Sequence, residues 1–266
     1  MKKSGKALFV VSVIVLLFFA GCGAKDKGKE ASGSQESTEL LVGAAASLQN
    51  SLEELQAVYN EKYPDVKLTF TFAGSGSIQQ QIEQGAPVDV FISAAEKQMD
   101  ALSEQDLILE DTRSDILQNK VVLIVPKDSK AGITGFEDIA KADSIALGDP
   151  ESVPAGTYAE EIFTNLNLLE TVQDKANYAK DVTEVLTWVS TSNADAGVVY
   201  ATDAKSNGDV TVVAEAPEGS CSKVIYPAAV VKDTKAEATA REFVEFLSSE
   251  EAQEVFKEYG FSSVDE

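Results

Sequence analysis

KVVLIVP, Lys120 to Pro126, is an uninterrupted apolar run closed by a proline. A strand with one wet face alternates apolar and polar residues. A run without a polar break is a strand covered on both faces, as in sheets that carry helices on each side. Upstream, Leu40 to Ala44 and Val66 to Ala73 read as strands. Between them Leu48, Leu52, Leu55 and Tyr59 recur at helical spacing and predict a helix over Leu48 to Tyr63. A helix over Ile78 to Gln84, stopped by Gly85 and Pro87, a strand over Val88 to Ser93 and a helix over Lys97 to Glu104 follow. Downstream the spacing predicts helices at 135–141, 155–165 and 182–190 and strands at 144–148, 197–200 and 210–214. VIYPAAVVK (Val224 to Lys232) reads as a long crossing strand, and helices over 235–248 and 249–259 close the chain. Alternation of this kind predicts an α/β fold.

The N-terminus bears on the compartment. Lys2, Lys3 and Lys6 precede an apolar run, Ala7 to Ala20, that is shorter than the roughly 20 residues a membrane-spanning helix needs. It reads as the core of a signal peptide, residues 1–21. Phe19-Ala20-Gly21-Cys22 resembles a bacterial lipobox, with Phe19 where leucine is usual, and makes Cys22 the expected lipidated residue. Two acyl chains suffice for a stable anchor, at about 0.8 kcal/mol per buried CH₂. The stretch after Cys22 is rich in Lys, Gly, Ser and Glu and has almost no apolar residue, so 22–38 reads as a flexible tether.

Composition removes whole classes of function. The formal charge of −22 repels nucleic acid. Histidine is absent, so neither Ser-His nor Cys-His nucleophilic machinery is available. With Cys22 acylated, Cys221 is the only remaining thiol, which excludes an intrachain disulfide and zinc spacing alike. Cys221 sits in a Gly/Ser-rich turn and reads as a loop residue. Without histidine, and with ordinary tyrosines ionising near pH 10, ligand affinity is expected to stay flat between about pH 6 and pH 8.

Four segments share one feature, a polar or glycine-rich turn that follows a strand and opens a helix. They are Ala44-Ala45-Ala46-Ser47, Ala73-Gly74-Ser75-Gly76-Ser77, Val153-Pro154-Ala155-Gly156-Thr157 and Lys180-Asp181-Val182-Thr183-Glu184. Helix starts carry unpaired N–H groups and positive dipole ends, a setting that suits an anion. Each segment also has a plainer explanation. Ser47 can cap its helix, Ser77 with Gln80 and Asp181 with Glu184 can form capping boxes, and Pro154 is ordinary in a first turn. Tyr200 can be a core tyrosine. Ser75 has no capping duty in this scheme, and its flanking glycines permit close approach of a ligand to the backbone.

AAASL (44–48), FAGSGSI (72–78), QGAPVDVFISA (84–94), GDPESVPAGTYA (148–159), GVVYATDA (197–204) and EVFKEYGF (254–261) resemble, in this order, the molybdate-binding proteins of bacterial ABC importers. That resemblance implies a two-lobed periplasmic-binding-protein fold of the second topological type. Lobe one would comprise 38–120 and 227–266, lobe two 121–226, with a hinge motion closing them on the ligand. It implies that Ser47, Ser75, Ala155, Val182 and Tyr200 bind the oxygens of molybdate or tungstate, with no cofactor and no direct metal ligand. One departure from the pattern is Gly74, where some relatives have serine. Further implications are a monomer tethered to the cell membrane through Cys22 and a permease as partner. Sulfate or another solute on the same fold is the alternative ligand, and an extracytoplasmic enzyme the more distant one.

Overall fold

The computed structural model describes residues 37–264. The expected signal peptide, Cys22 and all but the end of the tether lie outside the described residues.

Strand β1 (Thr38–Ala45) begins within the expected tether, because Thr38 and Glu39 pair with Val66 and Lys67 of β2 (Val66–Ala73). Leu40, Val42 and Ala44 of β1 are wholly buried, as its apolar positions require. A single 3-10 turn, Ala46–Leu48, leads into α1 (Gln49–Lys62), which buries Leu52, Leu55 and Tyr59 on one face. Each such leucine contributes about 2 kcal/mol when withdrawn from water. Then come α2 (Ser75–Glu83), β3 (Val90–Ile92), α3 (Glu96–Glu104) and β4 (Ser114–Asn119).

Next, β5 (Val121–Pro126) is buried from Val121 to Val125, the two-faced covering that its apolar run demands. It is followed by β6 (Ile145–Gly148), α4 (Pro154–Asn165), α5 (Leu169–Gln173) and β7 (Ala176–Ala179). The chain continues through α6 (Val182–Ser190), β8 (Ala196–Tyr200), α7 (Ala201–Lys205) and β9 (Val210–Glu215). It finishes with β10 (Val224–Val230), α8 (Glu237–Leu247) and α9 (Glu250–Tyr259). Tyr59 of α1 lies edge-on to Phe243 and Phe246 of α8, with ring centroids 5.1 and 5.0 Å apart, and this ties the end of the chain back to its beginning.

The strands form two mixed sheets, in the orders β2-β1-β3-β10-β4 and β7-β6-β8-β5-β9. In the first, β1 runs parallel to β2 and β3 while β10 runs antiparallel to β3 and β4. In the second, β6 runs parallel to β7 and β8 while β5 runs antiparallel to β8 and β9. Two helix-flanked sheets, with the returning strand β10 inserted between β3 and β4 of the first, make up the type II periplasmic-binding architecture.

Strands β4 and β7, helices α5 and α7 and the 3-10 turn Glu110–Thr112 were not predicted. Strand β4 (SDILQN) is half polar and owes its conformation to pairing with β10; β7 is a half-exposed edge strand held by β6. The helix expected at 135–141 is a 3-10 segment, Phe136–Lys141. By strand pairing, the chain leaves the first sheet between Asn119 and Val121 and has rejoined it by Val224. Val224, Ile225 and Tyr226 pair with Asn119, Gln118 and Leu117, so the return lies earlier than the expected division after Tyr226. Backbone pairing decides this, and an apolar run cannot reveal which sheet it joins.

The GDPESVPAG segment owes its two terminal glycines to packing within the second half. A Cβ on Gly156 would lie 2.1 Å from the carbonyl oxygen of Gly148, so helix α4 could not otherwise start against the end of β6.

Candidate functional site

Where the two halves meet, a small cavity is lined by Ala45, Ala46, Ser47, Ala73, Gly74, Ser75 and Ala94 from the first half. Val153, Pro154, Val182 and Tyr200 line it from the second. Four of the five residues predicted from sequence thus face one space. The fifth, Ala155, is fully buried and directly follows the lining pair Val153 and Pro154.

The local structure explains what each can offer. Helix α2 starts at Ser75, α4 at Pro154 and α6 at Val182, and all three starts converge on the cavity. First-turn N–H groups have no intrahelical acceptor. Among the described residues, the N–H groups of Ser47, Ser75, Ala155 and Val182 have no protein acceptor. Pro154, with no N–H of its own, opens α4 without adding another orphan. The hydroxyl of Tyr200 is buried and likewise lacks a protein partner. Complete burial pushes the Tyr200 phenol well above its ordinary pKa, so it stays protonated and able to donate.

Two of the capping explanations do not hold in the fold. Ser47 does not cap α1: Leu48 occupies the N-cap, and Ser47 Oγ lies 2.9 Å from Tyr226 Oη. Ser77 does not cap α2 either, because the helix begins at Ser75 with Gly74 as N-cap. This places Ser77 inside the first turn, its N–H bonded to the Gly74 carbonyl at 2.9 Å. Ser75 Oγ, which had no duty in the sequence, accepts the Ala94 N–H at 3.0 Å. The Asp181 explanation holds for the cap, while the return bond of the expected box goes one residue further back. Its carboxylate accepts the Glu184 N–H at 2.9 Å, and the Glu184 carboxylate accepts the Lys180 N–H at 3.0 Å.

The glycines of AGSGS have a purpose beyond the one expected. A Cβ on Gly74 would lie 2.8 Å from the Ser152 carbonyl oxygen and 2.9 Å from that of Lys180; one on Gly76 would lie 2.8 Å from Ser152 Cα. The Gly76 N–H donates to the Ser152 carbonyl at 2.9 Å. These glycines let the backbone of the second half, and not only a ligand, come close to that of the first. The halves stand closed on the cavity.

No charged side chain lines the cavity. Behind the wall, the Asp203 carboxylate accepts the Tyr200 N–H at 3.1 Å. Burial raises its pKa to about 7, with Asp181 adding repulsion and the Tyr200 hydrogen bond acting in opposition. Sequence inspection missed Asp203, Tyr226 and Asn119. Asp203 lies in the quoted GVVYATDA segment, but only the fold shows that it is buried.

A space enclosed by N–H and O–H donors, with neither a fixed cation nor a carboxylate on its walls, is matched to a small, fully deprotonated anion. Burying such a charge is costly unless it is thoroughly hydrogen-bonded, and bonds to a charged group are about twice as strong as neutral ones.

Comparison with known proteins agrees with this picture. The profile of the family described as bacterial extracellular solute-binding protein matches residues 40–262. The Bacillus subtilis protein named "Putative ABC transporter substrate-binding lipoprotein YvgL" is 40% identical over 97% of this chain and 98% of its own. The molybdate-binding protein ModA of Haemophilus influenzae is 39% identical over 85% of this chain and 91% of its own. Among solved structures, the "substrate binding domain of putative molybdenum ABC transporter from Clostridium difficile" superposes with a TM-score of 0.66. It is 45% identical, over 86% of this chain and 100% of that one. On the family match across the folded region and on these end-to-end relatives, the chain belongs to the bacterial extracellular solute-binding proteins.

Proposed function

We propose that this protein captures molybdate, and tungstate with it, outside the cytoplasm and delivers it to the permease of an ABC importer. The observation that carries the proposal is the cavity between the halves, on which three helix starts and the unpartnered Tyr200 hydroxyl converge. In this reading the main-chain N–H groups of Ser47, Ser75, Ala155 and Val182 and the hydroxyls of Ser47, Ser75 and Tyr200 hold the oxygens. The names of the relatives point to the same ligand. The oxyanion is cargo, held without a direct metal ligand or cofactor, and the match to a solute-binding family supports a binding role. The hinge lies where β4 passes into β5 and where the chain returns into β10. Closure on the ligand is then the signal that a monomeric protein presents to the permease.

Calorimetric titration of the full-length chain in detergent tests this. Molybdate and tungstate should bind tightly and alike. Sulfate should bind more weakly, because its shorter bonds leave some donors unreached at about 1–3 kcal/mol each. Hydrogen phosphate should bind weakly because its proton meets no acceptor. Sulfate binding as tightly as molybdate would establish the alternative ligand. Ser47→Ala, Ser75→Ala and Tyr200→Phe should each weaken molybdate binding by roughly 1.5–3 kcal/mol, the range for a hydrogen bond to a charged group. Wild-type affinity in all three folded variants would remove the ligand assignment.

We also propose that the protein is held at the cell membrane by a lipid on Cys22 after removal of residues 1–21. Cys22→Ser should then release or misprocess it. Unchanged partitioning of the variant into the detergent phase would show that Cys22 is not the anchor.

A further inference from the structure

Ser47 and Ser75 line the cavity and carry hydroxyls, and a hydroxyl can give or accept a hydrogen bond. What surrounds each oxygen decides which. The Asn119 side-chain oxygen accepts the Lys120 N–H at 2.8 Å, and this fixes the orientation of its amide. Its nitrogen therefore donates, to Thr202 Oγ1 at 2.9 Å and to Tyr226 Oη at 3.2 Å. Tyr226 is fully buried, and burial keeps its phenol protonated. With Asn119 donating to its oxygen, the Tyr226 proton is directed to Ser47 Oγ, 2.9 Å away. Ser47 receives that bond, so its own proton is left to point into the cavity. Ser75 is set in the same way by the Ala94 N–H.

We infer that Asn119 and Tyr226 form a directional relay that makes Ser47 a donor, and that this relay is a specificity device against protonated oxyanions. Neither residue touches the ligand; both are positioning residues, and the inference rests on the oxyanion reading of the cavity. A hydrogen phosphate needs an acceptor for its O–H. The relay turns the Ser47 proton toward the ligand and so denies that acceptor at the moment it strengthens the bond to a bare oxygen. Asn119 ends β4, Tyr226 lies in β10 and Thr202 in α7, so the amide that sets the direction is anchored where the chain crosses between the two sheets.

The test is competition calorimetry on the full-length chain in detergent, with molybdate and inorganic phosphate as probes at pH 7, for wild type, Tyr226→Phe and Asn119→Asp. Phenylalanine removes one hydroxyl and frees the Ser47 rotor. Molybdate affinity should fall roughly tenfold, and the preference for molybdate over phosphate should narrow by about as much. Aspartate at 119 accepts where asparagine donated. It pulls the Tyr226 proton toward itself and turns the Ser47 proton toward Tyr226, so the preference should narrow at least as far. A purely structural role would weaken both anions together and leave their ratio alone. An unchanged ratio in both variants, with wild type binding molybdate, would overturn the relay and leave the oxyanion reading standing. If wild type binds no oxyanion, both fall.

Discussion

Gly76→Ala should lower molybdate affinity by more than a hundredfold while leaving each half of the molecule folded. The added Cβ would lie 2.8 Å from Ser152 Cα and 2.9 Å from its carbonyl oxygen. Both obstacles are backbone atoms, so no side chain can swing aside. The clash is between α2 of the first half and the turn before α4 of the second. It is relieved by moving the halves apart, and neither core has to change. Separation withdraws Ala155, Val182 and Tyr200 from any anion held by Ser47 and Ser75, and each lost contact costs about 1–3 kcal/mol. Loss of two is already a hundredfold at about 1.4 kcal/mol per factor of ten. Calorimetry against molybdate gives the affinity, and a urea titration shows whether the fold survives. A folded Gly76→Ala variant with wild-type affinity would mean that binding does not need this closure.

The second large effect concerns Asp203 and is read in the dependence of stability on pH. Its carboxyl is buried and its pKa is raised from the ordinary 3.8 to about 7. The folded state thus holds a proton that the unfolded state has lost, over the range from about pH 4 to pH 7. A state that binds more protons is favoured at low pH, so this group's contribution to stability declines as pH rises through that window and is fully lost above it. A gap of about three units corresponds to roughly 4 kcal/mol. Asp203→Asn keeps an oxygen for the Tyr200 N–H and removes the ionisation. It should be progressively more stable than wild type as the pH is raised from 5 to 8, measured by urea unfolding. Parallel profiles for the two proteins would sink the assignment, since every other titrating group is common to both.

The same carboxylate revises the expectation of flat affinity. A dianion held by Tyr200, whose N–H this carboxylate accepts, favours the protonated form, so binding takes up a proton. Molybdate affinity should therefore fall, by about five- to tenfold, between pH 6 and pH 8, and Asp203→Asn should restore the flat profile.

Much of the architecture was legible in the sequence. The apolar run in β5, the alternation in β2 and the spacing in α1 and α6 each report a local rule: how a strand or a helix must divide its side chains between core and water. Those rules operate within a few residues, so the order of elements and the α/β class were readable. They do not reach β4 or β7. The polar SDILQN segment and the edge segment ANYA become strands only because β10 and β6 supply their hydrogen-bonding partners.

The site divides in the same way. That glycine-rich or polar turns open α2, α4 and α6 was visible in the chain, and with it the supply of unpaired N–H groups. That Ser47, Ser75, Val182 and Tyr200 line one cavity was beyond any local rule. So was the role of Ser47. By sequence it is a helix cap, whereas in the fold its oxygen meets Tyr226, 179 positions along the chain. Gly74 and Gly76 read in the chain as room for a ligand, and in the fold they also make room for the backbone of Ser152 and Lys180. Asp203 is one acidic residue among many until burial raises its pKa. Which groups can donate follows from local rules, because periodicity and capping act within a few residues. Which of them converge, which way their protons point and which carboxyl is withdrawn from water were decided only by tertiary structure, since hydrogen-bond partners and desolvation are set by residues distant in the chain.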